Sequence, residues 1–153
     1  MQTKATIDHA TPDIRVPAPR WVRRLVVVLL SAAAALLTWV IIDPVAGAEL
    51  RAPAFDDAAG MEIGAGPVIA SALVATTVAW GLLALLERTV TRPRTVWTVI
   101  AVVGAALSLT GPLAGDGAET SHRLLLALLH AGVAVLAIPL LRRTTHDAPR
   151  EGR

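Results

Sequence analysis

The sequence predicts an all-α integral membrane protein, an antiparallel four-helix bundle with both termini in the cytoplasm. Three observations carry that expectation. Four long stretches lack any charged residue, lysine and arginine alternate between the flanks of those stretches, and small residues recur within them at helical spacing. The 153 residues are 54% hydrophobic and only 17% charged, where a soluble domain carries roughly 25% charged residues.

The charge-free stretches are 25–42, 67–86, 96–113 and 124–141, together 74 residues, in which an even distribution would place about 13 charges. At ~1.5 Å rise per residue the 18-residue stretches cross ~27 Å, close to the ~30 Å hydrocarbon core of a bilayer. Only a helix closes every backbone hydrogen bond within one such segment. A soluble bundle would show a polar face at each turn, and 124–141 shows only His130. The transmembrane domain therefore runs over 21–143, with residues 1–20 and 144–153 expected as disordered cytoplasmic tails.

The ends of the spans carry their own signals. Asp43-Pro44 is expected to stop the first span, and Pro67 to open the second where its missing N–H costs nothing. Gly111-Pro112 loosens the end of the third, and Pro139 removes one ladder bond from the fourth, predicting a mild kink. Arg20, Arg23 and Arg24 ahead of an apolar run, with Ala46-Gly47-Ala48 behind it, resemble a secretory signal. An 18-residue run followed by three more spans reads instead as a first transmembrane helix.

Orientation follows from the cations. Residues 1–24 contain Lys4, Arg15, Arg20, Arg23 and Arg24; loop 87–95 contains Arg88, Arg92 and Arg94; the last segment contains Arg142, Arg143, Arg150 and Arg153. The alternate loops, 43–66 and 114–123, have one each, Arg51 and Arg123. Twelve cations against two place both termini inside, in the cytoplasmic membrane, with anionic headgroups as the first partner of the arginine-rich face. The positive charge is thus an orientation signal and excludes a nucleic-acid footprint. Trp21 and Trp97 fall at the expected inner boundary and Trp39 near the outer one, as membrane-interface aromatics do. Trp80 lies deeper, packed between helices or facing lipid.

In lipid, small residues mark where helices approach closely. Ala72, Ala75, Thr76 and Ala79 share a face of the second span, and Ala101, Gly104, Ser108 and Gly111 a face of the third. Ala127, Ala131 and Ala134 do so on the fourth, with His130 at the stripe's edge. These stripes predict close packing, tightest between spans three and four.

His130 is the one ionisable side chain inside a span, which makes it a functional candidate. Depth along the helices places Ser108, Thr110, Ser71 and Thr38 in the same outer half. The expectation is one polar cluster of these five residues, with His130 hydrogen-bonded to Ser108 or Thr110. It serves either as a neutral link between helices or as a proton-sensing or ligand-contacting group.

Other chemistries lack their residues. Drug–proton exchange by small four-span antiporters needs an embedded carboxylate, and no Asp or Glu lies in any span; thiol oxidation needs cysteine, and the chain has none. No HExxH, GxSxG or phosphate-binding glycine loop occurs. Asp56, Asp57 and Glu62 in the acidic loop 43–66 lack the spacing of a calcium loop and read as solvated. No catalytic residue, cofactor or metal is expected.

Three stretches carry a resemblance. They are Leu82-Leu83-Ala84-Leu85-Leu86-Glu87-Arg88, the run from Val96-Trp97 through Leu107-Ser108-Leu109-Thr110-Gly111-Pro112-Leu113, and the run from Leu128-Leu129-His130 through Ile138-Pro139. In their order and spacing the chain resembles a family of small four-helix bacterial membrane proteins, the domain of unknown function 6069, over roughly 20–143. The resemblance implies a four-span architecture and no established activity. The functional expectation is a non-enzymatic accessory, scaffold or sensor protein, with a homo-oligomer or a membrane-protein partner. The alternative is a small oligomeric transporter or channel using His130 and the outer-half hydroxyls.

Overall fold

The structure, a computed structural model, describes residues 18–45, 47, 51–52, 61–114 and 120–145. In chain order these form α1 (Arg20–Val40), a π-helical turn (Ile41–Val45), β1 (Arg51–Ala52), β2 (Met61–Glu62), α2 (Ala65–Thr89), α3 (Pro93–Ser108), α4 (Thr110–Ala114) and α5 (Thr120–Arg143). Among the described residues four helical segments are long and apolar enough to cross a membrane, of 26, 25, 21 and 24 residues. Even the shortest extends ~32 Å at ~1.5 Å per residue. The chain is a multi-pass membrane protein with an almost wholly helical fold. The exception is the pair β1–β2, antiparallel with Arg51 opposite Glu62 and Ala52 opposite Met61, inside the loop expected to be merely solvated.

Helix boundaries follow proline and glycine chemistry, with some corrections to expectation. Asp43-Pro44 does not end the first helix, which widens into the π turn through Val45. Proline has no N–H for the carbonyl four residues back and its ring crowds that carbonyl, and a wider turn relieves both. The chain then closes with Gly47 at φ +67°, its N–H donating to the Asp43 carbonyl at 2.8 Å. Left-handed backbone of this kind at a helix end suits glycine. α2 starts at Ala65, two residues before Pro67, whose position in the first turn removes no ladder bond. Pro93 opens α3 at its first position. The third span breaks after Ser108: Leu109 forms a turn and α4 carries Gly111 and Pro112, because Pro112 cannot donate to the Ser108 carbonyl. α5 continues through Pro139 without interruption.

α1 packs against α2 and α5, and α3 against α2 and α5, so the four long helices surround a shared core. That core has two levels. One joins Ala32, Ala35, Ile42, Val68, Ala72, Leu126 and Leu129, from α1, the turn after it, α2 and α5. The other joins Val27, Leu83, Trp97 and Leu141, one residue from each long helix. α3 contributes to the second level only; Pro93 and Trp97 are its buried residues. Its later turns stand away from the core, with Val99, Val102, Val103 and Leu107 exposed. The expected contact between spans three and four is therefore made near both ends of the third span, by α3 and by α4 against α5, and is open between them.

Trp97 corrects a second expectation. It is not an interfacial belt residue: only 1% exposed, it wedges α3 onto α2 with Nε1 donating to the Ala79 carbonyl at 2.9 Å. Trp80 packs against the same cluster. Trp39 Nε1 donates to the Ile63 carbonyl at 2.8 Å and so fixes the approach to α2. Trp21 is exposed at the start of α1. The tail boundaries also shift, since Arg20 begins α1 and Thr144 and Thr145 are buried. Residues 1–17 and 146–153 of the expected tails lie outside the described residues, as do Asp56 and Asp57.

Candidate functional site

The five polar residues expected to form one cluster do not bond to one another. Each hydroxyl donates to a backbone carbonyl three or four residues earlier in the chain. Thr38 Oγ1 reaches Ala34 at 2.8 Å, Ser71 Oγ reaches Val68 at 3.0 Å, Ser108 Oγ reaches Ala105 at 2.7 Å, and Thr110 Oγ1 reaches Leu107 at 2.6 Å. His130 Nδ1 meets the Leu126 carbonyl at 2.8 Å, one turn back on α5, rather than Ser108 or Thr110. A serine or threonine one turn past a helical carbonyl can satisfy its hydroxyl locally. No second helix is needed, and sequence depth alone cannot anticipate that.

Two of the five nonetheless share a surface. A cleft of about 300 Å³ lies between α2, α3 and α5, and His130 and Ser108 both line it. It lies between two points of attachment of the third span, Trp97 of α3 at one end and the contact of α4 with α5 at the other. Its walls are the small-residue stripes read from the sequence: Ala75 and Ala79 on α2, Ala101 and Gly104 on α3, and Ala134 on α5. These residues leave space where close helix contact was expected. A Cβ placed on Gly104 would meet nothing within 4 Å. Trp97, Leu82 and Leu141 line the other end, and Trp97 and Leu141 are almost completely buried there.

The polar groups in the cleft have a definite sense. A carbonyl only accepts, so His130 Nδ1 carries the proton, and in the neutral ring Nε2 is an acceptor. Ser108 and Thr76, whose Oγ1 donates to the Ala72 carbonyl at 2.6 Å, have spent their protons on their own helices and retain lone pairs. The cleft thus presents acceptors on otherwise apolar walls.

A second polar site was not anticipated from sequence. Arg24, 5% exposed, donates through Nε to Thr144 Oγ1 at 3.0 Å and through Nη2 to Glu87 Oε1 at 2.5 Å. Thr144 Oγ1 in turn donates to the Leu141 carbonyl at 2.7 Å. One guanidinium thereby joins the start of α1, the end of α2 and the segment after α5. Helical phase carries the signal. Arg24 continues the buried positions Val28, Ser31 and Ala35 of α1, and Glu87 continues Ala72, Thr76 and Leu83 of α2. Charge counting treats all arginines alike and passes over that phase.

Among proteins already grouped by sequence, a family of unknown function (DUF6069) matches residues 15–147. No curated protein and no solved structure matches the chain.

Proposed function

The chain belongs to that family of unknown function, and we propose that it is a non-enzymatic membrane protein acting as an accessory, scaffold or sensor subunit. In this reading the helices run antiparallel through the cytoplasmic membrane, with both termini in the cytoplasm and anionic headgroups around the arginine-rich end. The observation that carries the reading is the Arg24–Glu87–Thr144 node. It gathers the start of α1, the end of α2 and the end of α5 at one level, where the cations are also concentrated. A fixed polar clasp at that end, above the cluster of Val27, Leu83, Trp97 and Leu141, suits a rigid platform better than an alternating path for solute.

The exposed face of α3 supports a partner or a second copy as the platform's occupant. The alternative, an oligomeric transporter or channel, draws its support from the shared cleft of His130 and Ser108. Two measurements distinguish the readings. Cysteine introduced at Val102, in a chain with no native cysteine, is expected to give a discrete cross-linked species in native membranes. Proteoliposomes are expected to pass small solutes no faster than empty vesicles. Solute flux that His130→Ala abolishes would replace this reading with the transporter, and absence of any cross-linked species would remove the scaffold.

A further inference from the structure

We infer that the cleft between α2, α3 and α5 binds the chain of a hydroxyl-bearing lipid, a long-chain or isoprenoid alcohol, whose hydroxyl donates to His130 Nε2. The inference rests on the membrane reading above and is independent of whether the protein is a scaffold or a transporter.

Size comes first. The cleft's volume, about 300 Å³, is roughly twice that of an apolar cavity that accepts a benzene and lies at the lower end of small-molecule sites. From Trp97 to Ser108 it follows α3 for about 16 Å at ~1.5 Å per residue. Over that length a helix of about 10 Å diameter occupies about 1,250 Å³, several times the cleft's volume. A single hydrocarbon chain lies within this trough, whereas a transmembrane helix of a second copy can only cover its open side. In a bilayer such a space is not left to water, because its alanine and glycine walls offer few hydrogen bonds.

The polar groups then select among lipids. His130 Nε2 has no hydrogen-bond partner among the described residues, and Ser108 and Thr76 have directed their protons to backbone carbonyls. A ligand that only accepts, such as an ester, an ether or a phosphodiester, finds no donor there. A charged ammonium could donate, but holding it at this depth would cost several kcal/mol of desolvation, so a neutral hydroxyl is the matching group. Leu82 and Ile138, both partly exposed, line the opposite end and receive the tail.

The test uses the full chain in phosphatidylcholine nanodiscs with a diazirine-tailed hexadecanol, adducts being located by peptide mass spectrometry. Adducts are expected on the cleft walls around Ala101 and Gly104, competed by unlabelled hexadecanol and not by its methyl ether. His130→Ala should weaken competition about fivefold, the equivalent of about 1 kcal/mol for one hydrogen bond. Gly104→Leu, which fills open space, should abolish the cleft adducts. Equal competition by alcohol and ether in the unaltered chain would overturn the inference. So would adducts spread evenly over lipid-facing positions, or a disulfide between Gly104→Cys copies, which would put a second chain in the cleft. A diazirine-tailed phosphatidylcholine reaching exposed Val135 reports the bilayer setting separately, so failure of the site and failure of the membrane reading are distinguishable.

Discussion

Arg24 and Glu87, 63 residues apart in sequence, form an ion pair whose side chains are 6% and 19% exposed. Breaking a buried pair leaves one charge without compensation, which costs about 3–5 kcal/mol, whereas replacing both partners with apolar groups is often far less damaging. Arg24→Leu and Glu87→Leu are therefore each expected to lower the thermal midpoint in detergent strongly. The double variant should recover much of the loss. A double-mutant cycle that closes with no coupling would show that the pair does not bind α1 to α2.

Trp97 holds α3 by shape and by one hydrogen bond to Ala79. Trp97→Phe keeps most of the shape and is expected to cost about 1 kcal/mol, while Trp97→Ala leaves a cavity worth about 3–5 kcal/mol. Unfolding monitored by circular dichroism in detergent separates these values. Equal, small effects would mean that α3 is not anchored at this point.

Gly104 decides between two meanings of the small-residue stripe. At a close helix crossing, an added methyl group would push the helices apart. In an open cleft, Gly104→Ala should instead be neutral or stabilising by up to about 1 kcal/mol, because alanine is the better helix former. The space around its Cβ position favours the second outcome. A clear loss of stability would restore the tight-packing interpretation.

Much of this architecture could be read from the chain itself. Charge-free length located the four spans, because lipid excludes charge and leaves an unbroken apolar record. Their ends were less legible, since Pro44 widens a helix that composition alone would stop, and Arg20 begins one that charge alone would exclude. The stripes of Ala75, Gly104 and Ala134 were also visible. Their consequence is not legible there, because spacing fixes a shared face and does not say whether the facing helix closes on it. The expected polar cluster failed for a related reason: Ser108 and His130 lie at similar depth, but each has a carbonyl of its own helix within reach. By charge Arg24 is one cation of twelve, and only its phase with Ser31 and Ala35 distinguishes it from its neighbour Arg23.

Thr145 offers a smaller test of the same packing. Its residue is 3% exposed and its Oγ1 has no hydrogen-bond partner among the described residues. Burying an unpaired hydroxyl costs about 1–3 kcal/mol, and valine has nearly the same shape. Thr145→Val is expected to raise the midpoint of thermal unfolding, and a fall would show that this hydroxyl is paired in the membrane.

The most direct test of the whole account is the sidedness of single cysteines, each unique in a chain that otherwise has none. Glu62 and Arg92 are both exposed and lie on successive connections, before and after α2. With a membrane-impermeant maleimide on intact cells, Glu62→Cys is expected to label at once and Arg92→Cys only after permeabilisation. Labelling of Arg92→Cys alone would invert the orientation, and labelling of both from outside would contradict a membrane-spanning α2.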